Sequence, residues 1–364
     1  MGENNMNKEI QDLLNTDKDL TIETIDELEG VNVATDFFSN MKNDIDSFDE
    51  DAWATKTGYK TPNFPSFAEA LEGWVPGFYV FAAPSNHGKS ATMLNIQHDL
   101  CANESNKLFG IYYSLDDTRN RIIPRVIAMR ENIPISIVAK PGRYQEMVNE
   151  GHPDSINIQK QLDKRKEGLN KLKDDSNKLV IFESEEVEFI DDIYEKTEQI
   201  YHYVKSIDPE MNIMVAIDSL KDIALKDANK LSANERIDII AKKIKDLSKK
   251  FNCIVFASMH LRKLNGTRRP TMDDLKDSNI LEFESDVCFL MYNDVSKNKQ
   301  SAKIFYKESE ESIEKKPVIE IDWAKNKLSS YKGVMFCNFS PEYSKCVEVA
   351  EESAKRYNAI LYQL

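Results

Sequence analysis

The sequence predicts an α/β protein with a mostly parallel, twisted sheet flanked by helices. Three observations carry that expectation. From about residue 72 onward, strand-like and helix-like segments alternate. Several strand segments are apolar almost throughout, as strands buried on both faces are. One of them, FYVFAA at 78–83, runs into a short polar turn, PSNH, and then meets GKS at 88–90.

The strands are expected at 78–83 (FYVFAA), 108–114 (LFGIYYS), 179–183 (LVIFE), 212–218 (NIMVAID), 253–258 (CIVFAS) and 286–291 (DVCFLM). The clearest helix spans 235–250, where Ile237, Ile240, Ile244, Leu247 and Phe251 recur at 3–4 spacing. Its lysines, Lys242, Lys243, Lys245, Lys249 and Lys250, form its solvated side. Residues 156–178 read as a charged helix, 293–316 as a polar excursion rich in lysine and glutamate, and 54–67 as a Gly/Pro loop. No internal repeat is visible.

Residues 1–52 read as a separate acidic helical arm or linker, and 53–364 as the main domain. Ile22, Ile25 and Leu28 share one helical face; Phe37, Phe38, Met41 and Ile45 share another. Helices this short are marginal alone, so the arm is expected to dock on the main domain or on a neighbouring protomer.

Composition bounds the function. Of 364 residues, 41% are hydrophobic, enough for a sizeable core, and 30% are charged. No apolar run approaches the roughly 18–20 residues that cross a bilayer. The N-terminus, MGENNMNKEIQDLL, lacks the basic start and apolar centre of a secretion signal. A cytoplasmic protein without a membrane partner is expected. The five cysteines show no C-x-x-C spacing, which argues against a zinc site or a disulfide scaffold. Residues 1–51 hold fifteen acidic and three basic side chains, −12 of the net −14. The remainder is near neutral, so local positive loops can still meet nucleic-acid phosphates.

The turn after the first strand fits the phosphate-binding loop, with A-P-S-N-H-G-K-S at 83–90 and Ala83 in the first glycine position. The nucleotide-binding stretch is Ala83, Pro84, Ser85, Asn86, His87, Gly88, Lys89, Ser90 and Ala91. Its backbone N–H groups and the N-terminal end of the next helix favour phosphate. Gly88 permits close backbone approach, Lys89 reaches the β- and γ-phosphates, and Ser90 offers a hydroxyl to Mg²⁺. Asn86 and His87 belong to loop geometry. Asp218 ends the apolar run NIMVAID and is the carboxylate expected to hold Mg²⁺ through water. A nucleotide with β- and γ-phosphates and Mg²⁺ are the expected ligands.

With those residues in place, the chain resembles the C-terminal ATPase domain of DnaB-like replicative helicases, hexameric RecA-fold motors of bacteria and phages. The family's loop often reads A-R-P-S-M-G-K-T. Its S-L-E-M after the next strand matches SLDD at 114–117. Its R-P-x-x-S-D-L-R-E-S-G-x-I-E-Q-D-A-D matches RPTMDDLKDSNILEFESD at 269–286 without a gap, and its K-x-R-x-G-type terminal motif matches AKNKLSSYKG at 324–333. The match spans roughly residues 60–345. The family's N-terminal primase-interacting domain has no counterpart, and the acidic arm stands where its linker helix would be. A phage or mobile-element origin in a bacterial host is expected from the compact core.

The resemblance implies a RecA-like P-loop ATPase core, with ATP as the nucleotide, and assigns roles. Asp116, matching the glutamate of S-L-E-M, activates the attacking water, although it is one methylene shorter. His260, in ASMHLRK, matches the γ-phosphate sensor. Lys325 and Lys327 match the basic pair that reaches into a neighbouring subunit's site, with lysine where an arginine finger is usual. Lys276, Asp277, Ser278 and Asn279 match the turn that holds single-stranded DNA in the central channel.

The implied activity is ATP-dependent unwinding by a homo-oligomeric ring, a hexamer, translocating on single-stranded DNA, with a primase or helicase loader as partner. Two other readings remain open: a nucleotide-switched DNA-binding scaffold with weak or no unwinding, and a RecA-like recombination ATPase.

Overall fold

The computed structural model describes residues 39–49, 53, 58–174, 178–226, 228–262, 264, 266, 268–275 and 279–363, the side chains of Asn229 and Asn279 excepted. The chain divides into two units, Met1–Thr57 and Gly58–Leu364. In the first, residues 39–49 form a helix whose Met41, Ile45 and Phe48, spaced i, i+4, i+7, lie along one face. The other arm residues expected to share helical faces, Ile22, Ile25, Leu28, Phe37 and Phe38, lie outside the described residues.

The second unit is a layered α/β structure. Its strands are β1 (Gly77–Ala83), β2 (Leu108–Ser114), β3 (Leu179–Glu183), β4 (Asn212–Asp218), β5 (Ile254–His260), β6 (Val287–Asn293), β7 (Phe305–Tyr306), β8 (Lys316–Asn326), β9 (Val334–Ser340) and β10 (Lys345–Glu348). Its described helices are α1 (Pro65–Ala70), α2 (Lys89–Ala102), α3 (Arg119–Glu131), α4 (Ile135–Ala139), α5 (Pro141–Asn149), α6 (Ser155–Asp174), α7 (Ile190–Ile207), α8 (Ala233–Lys250), α9 (Asn279–Glu284), α10 (Asp294–Asn298) and α11 (Glu351–Leu361).

The sheet order is β10-β9-β8-β6-β1-β5-β4-β2-β3, with β7 paired to β8. From β3 to β6 every pairing is parallel. From β6 through β8 and β9 to β10 every pairing is antiparallel. Strand β1 shows why the apolar runs are continuous. Phe78, Val80 and Ala82 face a core shared with α7 and α8, while Tyr79, Phe81 and Ala83 face one shared with α1, α2 and α3. Both faces are dry, so neither set can be polar. Full burial of each large side chain contributes about 1.5–3 kcal/mol.

The six parallel strands fall within two residues of their expected positions. The antiparallel extension is an addition to the expected architecture. Of the helix expected at 156–178, the described part is α6, with residues 175–177 outside the described residues, and the polar excursion at 293–316 holds α10 and β7. One expectation is corrected. Lys245 does not belong to the solvated side of α8. It turns inward and pairs with the Asp286 carboxylate, which also accepts from the Phe78 amide at 2.7 Å. Lys243 and Lys250 do stay on the surface, where they pair with Asp191 and Glu198 of α7. All five cysteines are buried as free thiols, and burial pushes each thiol's pKa up.

Candidate nucleotide-binding site

Parallel register brings distant residues to one edge of the sheet. Ala83 pairs with His260, and Ser114 with Asp218. The loops leaving these strand ends therefore share one cleft of about 690 Å³, lined by Ser85, Asn86, Lys89, Ser90, Asp116 and His260 among others. That volume suits a nucleotide.

The turn from β1 to α2 requires two left-handed residues, Asn86 (φ 63°) and Gly88 (φ 92°). Gly88 is needed for a second reason. A Cβ there would stand 2.5 Å from the Ile319 side chain of β8, so the loop lies directly on the antiparallel half of the sheet. The buried His87 shapes the turn. Its Nδ1–H donates to the Ser85 carbonyl at 2.9 Å, its ring packs against Tyr292 at 5.5 Å, and burial lowers its pKa.

Lys89 opens α2 and is buried. Its ammonium donates to Nδ1 of His260 at 3.2 Å. Burial lowers its pKa to about 8; Asp218 opposes that shift, Lys221 adds to it, and Asp116 opposes it. His260 is also lowered, first by burial and then by Lys89, so it stays neutral and accepts the lysine's hydrogen bond.

Asp218 is buried at the end of β4. Its carboxylate accepts from the Tyr112 hydroxyl at 3.0 Å and from the Ser258 hydroxyl. Its backbone carbonyl accepts from the amides of Leu115 (2.7 Å) and Asp116 (3.2 Å). The loop carrying Asp116 thus hangs from the residue expected to face the metal. The next carboxylate, Asp117, is turned onto α3, where it pairs with Arg121 (3.2 Å) and Arg125 (2.8 Å). Asp116 is left exposed to the cleft.

The donor set fits a magnesium–nucleotide ligand. Amides of a left-handed turn, a buried ammonium and the Ser90 hydroxyl converge on one cleft. Because the Asp218 oxygens already accept two hydroxyls, this carboxylate suits a metal held through water. Among the described residues there is no cluster of three or more His, Cys, Asp or Glu that would hold a metal by itself.

Lys325 and Lys327 are not in this cleft. Strand β8 runs antiparallel to β6, and Lys325 pairs with Cys288 near the start of β6. The two lysines therefore lie toward the opposite edge of the sheet from the phosphate-binding turn: through β6, Lys325 stands level with Val80 of β1, and the Lys327 amide bonds to the carbonyl of Asp286, whose own amide bonds to Phe78. Lys325 Nζ donates to the carbonyls of Glu282, Phe283 (3.1 Å) and Ser285 (2.6 Å), and Lys327 Nζ to that of Phe283 (2.7 Å). Burial, and next the neighbouring Lys327, lower the Lys325 pKa to about 8. Of the expected DNA-contacting residues, Lys276, Asp277 and Ser278 lie outside the described residues. Asn279 opens α9, and its side chain is likewise outside them.

Several residues around the site carried no sequence signal. Ser296 of α10 donates to the Asn86 carbonyl at 3.1 Å. Arg269 stacks on Tyr292 at 4.8 Å and makes a two-pronged pair with buried Glu320, both contacts at 2.9 Å. Arg269 stands in the 269–286 block, but its partner sits mid-strand in β8, where a charge reads as solvent-facing.

A glycine-bearing turn, a buried lysine at the helix start and a strand-end aspartate on the rim of a parallel sheet define a RecA-like P-loop ATPase. The sequence profile of the DnaB-like helicase C terminal domain matches residues 58–347. The chain belongs to that family, which comprises ATP-hydrolysing DNA helicases of replication. Solved structures share its fold, among them the following two. One is described as an ATPase domain, at 20% identity and TM-score 0.67, covering 85% of this chain and 99% of that one. The other is described as a DnaB-like replicative helicase and its interactions with primase, at 21% identity and TM-score 0.66. It covers 84% of this chain, which spans 66% of that structure's length. A comparison with curated protein sequences finds no match. Among the described residues, no helix is long and apolar enough to cross a membrane.

Proposed function

We propose that the chain is the motor of a ring-forming replicative helicase, a hexamer that hydrolyses ATP between subunits and moves along single-stranded DNA. The observation that carries this reading is the split between the two edges of the sheet. Lys89, Asp116, Asp218 and His260 share one rim, while Lys325 and Lys327 lie on the other. A single protomer cannot close its own site with those lysines, but a neighbour in a ring can.

In this reading, the amides of residues 85–90 and Lys89 hold the β- and γ-phosphates. Asp116 takes the proton of the attacking water, since Asp117 is held on α3 by two arginines. His260, in contact with Lys89, is placed to respond to the γ-phosphate and pass its loss to the chain following β5. Ser90 directly, and Asp218 through water, would hold magnesium, which when bound would supply positive charge to the phosphates. Residues 276–279 contact the DNA backbone. A primase or loader, acting with the ring in a bacterial cytoplasm, is the expected partner.

The test is strand separation on a forked duplex, with Lys89→Ala as control. ATP-dependent unwinding that this substitution abolishes supports the motor. One observation favours a second reading, a nucleotide-switched scaffold: Asp116 is a short acid where the family has glutamate. Nucleotide binding without hydrolysis, with or without single-stranded DNA, would favour it.

A further inference from the structure

The two lysines at the far edge share one motif, yet the structure gives them different surroundings. Strand β8 carries a bulge. Trp323 pairs with Phe289 and Lys325 with Cys288, so Ala324 is an extra residue. Trp323 and Phe289 face the core of α1 and α2, whereas Cys288 and Ala324 face the core of α7 and α8. Strict alternation would send Lys325 to the same face as Trp323. The bulge instead turns it to the face where α9 packs through Leu281. There Lys325 takes the carbonyls of Glu282, Phe283 and Ser285, at the C-terminal end of α9. Lys327 makes one side-chain bond in that cluster, and its backbone amide is fixed to the Asp286 carbonyl at 2.8 Å. Lys327 is exposed and Lys325 is half-buried.

We infer that the lysines divide the work: Lys325 is a positioning residue that clamps α9, and Lys327 alone is the cation presented to a neighbour. This rests on the proposed function for its DNA half, because α9 is the helix the chain enters directly from the proposed DNA-contacting residues 276–279. Leaving three carbonyls at once would strip the C-terminal end of α9 of its donors. Releasing one would not. The side chain that can exchange a carbonyl for a phosphate is therefore Lys327.

The experiment compares Lys325→Met, Lys325→Arg and Lys327→Met in the full chain by two readouts. The first is hydrogen exchange of the amides of 279–286. Lys325→Met should speed it roughly tenfold, Lys325→Arg should restore it, and Lys327→Met should leave it within about twofold. The second uses a fluorescent oligothymidylate, with its affinity measured in a non-hydrolysable ATP analogue and ATP turnover measured at saturating oligonucleotide. Lys325→Met should weaken oligonucleotide binding roughly tenfold, more than it lowers turnover, and Lys327→Met should do the reverse. Unchanged exchange in Lys325→Met, or equal loss of turnover in both methionine variants with oligonucleotide affinity intact, overturns the inference. If Lys325→Met does not fold, Lys325→Gln carries the same comparison with two donor hydrogens instead of three. If wild type binds no oligonucleotide, the helicase reading and the DNA half fall together, while the exchange readout still decides the clamp.

Discussion

From β3 to β6 the strands run parallel, and their C-terminal ends gather the phosphate-binding turn, Asp116, Asp218 and His260. From β8 to β10 they run antiparallel, and they carry Ile319 under Gly88, Glu320 beneath Arg269, and the lysines of the opposite edge. In the proposed function the parallel half presents the reacting groups. The antiparallel half packs beneath the phosphate-binding turn and carries the lysines proposed to serve a second protomer. The rim thus depends on strands that do not themselves end in it.

The sharpest way to break that division is to attack the antiparallel half and look for a loss of stability. Arg269→Met leaves Glu320 buried without its partner and should cost about 3–5 kcal/mol in urea unfolding. A double variant that also replaces Glu320 with Met should recover most of it. The converse attack falls on the parallel half. Lys89→Ala should cut ATP turnover by about 10²–10³-fold, measured as phosphate release, while the urea midpoint barely moves. Survival of turnover would mean that the chemistry lies elsewhere.

Gly88→Ala joins the two halves. Its φ of 92° and the 2.5 Å approach to Ile319 predict a loss of about 1–3 kcal/mol. Adding Ile319→Ala removes the clash but not the backbone strain, so the two losses should be less than additive.

The smallest effect is on pH. With Lys89 near pKa 8 in the free protein, its charged form predominates below pH 8. Phosphate binding favours that form, so affinity for an ATP analogue should be level from pH 6 to 7.5. Above pH 8 it should weaken by up to about tenfold per unit, with proton uptake on binding visible by calorimetry in buffers of different ionisation heat. A flat profile to pH 9.5 would place the phosphates away from Lys89.

The two halves also differ in how openly the sequence displays them. Strands such as FYVFAA and NIMVAID are buried on both faces, and an unbroken apolar run is the direct record of that. Their ends are marked by GKS and by the strand-end aspartate, so the rim was readable along with them. Strand β8, KPVIEIDWAKN, hides itself. Glu320 is buried in it, but only because Arg269, fifty-one residues earlier, supplies the opposite charge. No local pattern reports a partner that distant. The bulge at Ala324 has the same invisibility: Lys325 reads as a surface lysine near a strand end, and only the pairing register shows which face it takes. Asp116 and Asp117 are adjacent and alike in sequence. Arg121 and Arg125, one and two helical turns on, separate their fates.

The burial of every thiol has a practical consequence. Cys101, Cys253, Cys288, Cys337 and Cys346 are enclosed and disfavour the thiolate that maleimides attack. A cysteine introduced on an exposed helix should therefore take a fluorophore selectively, without first stripping the native ones from the core. Labelled protein for single-molecule tracking becomes accessible with a single substitution.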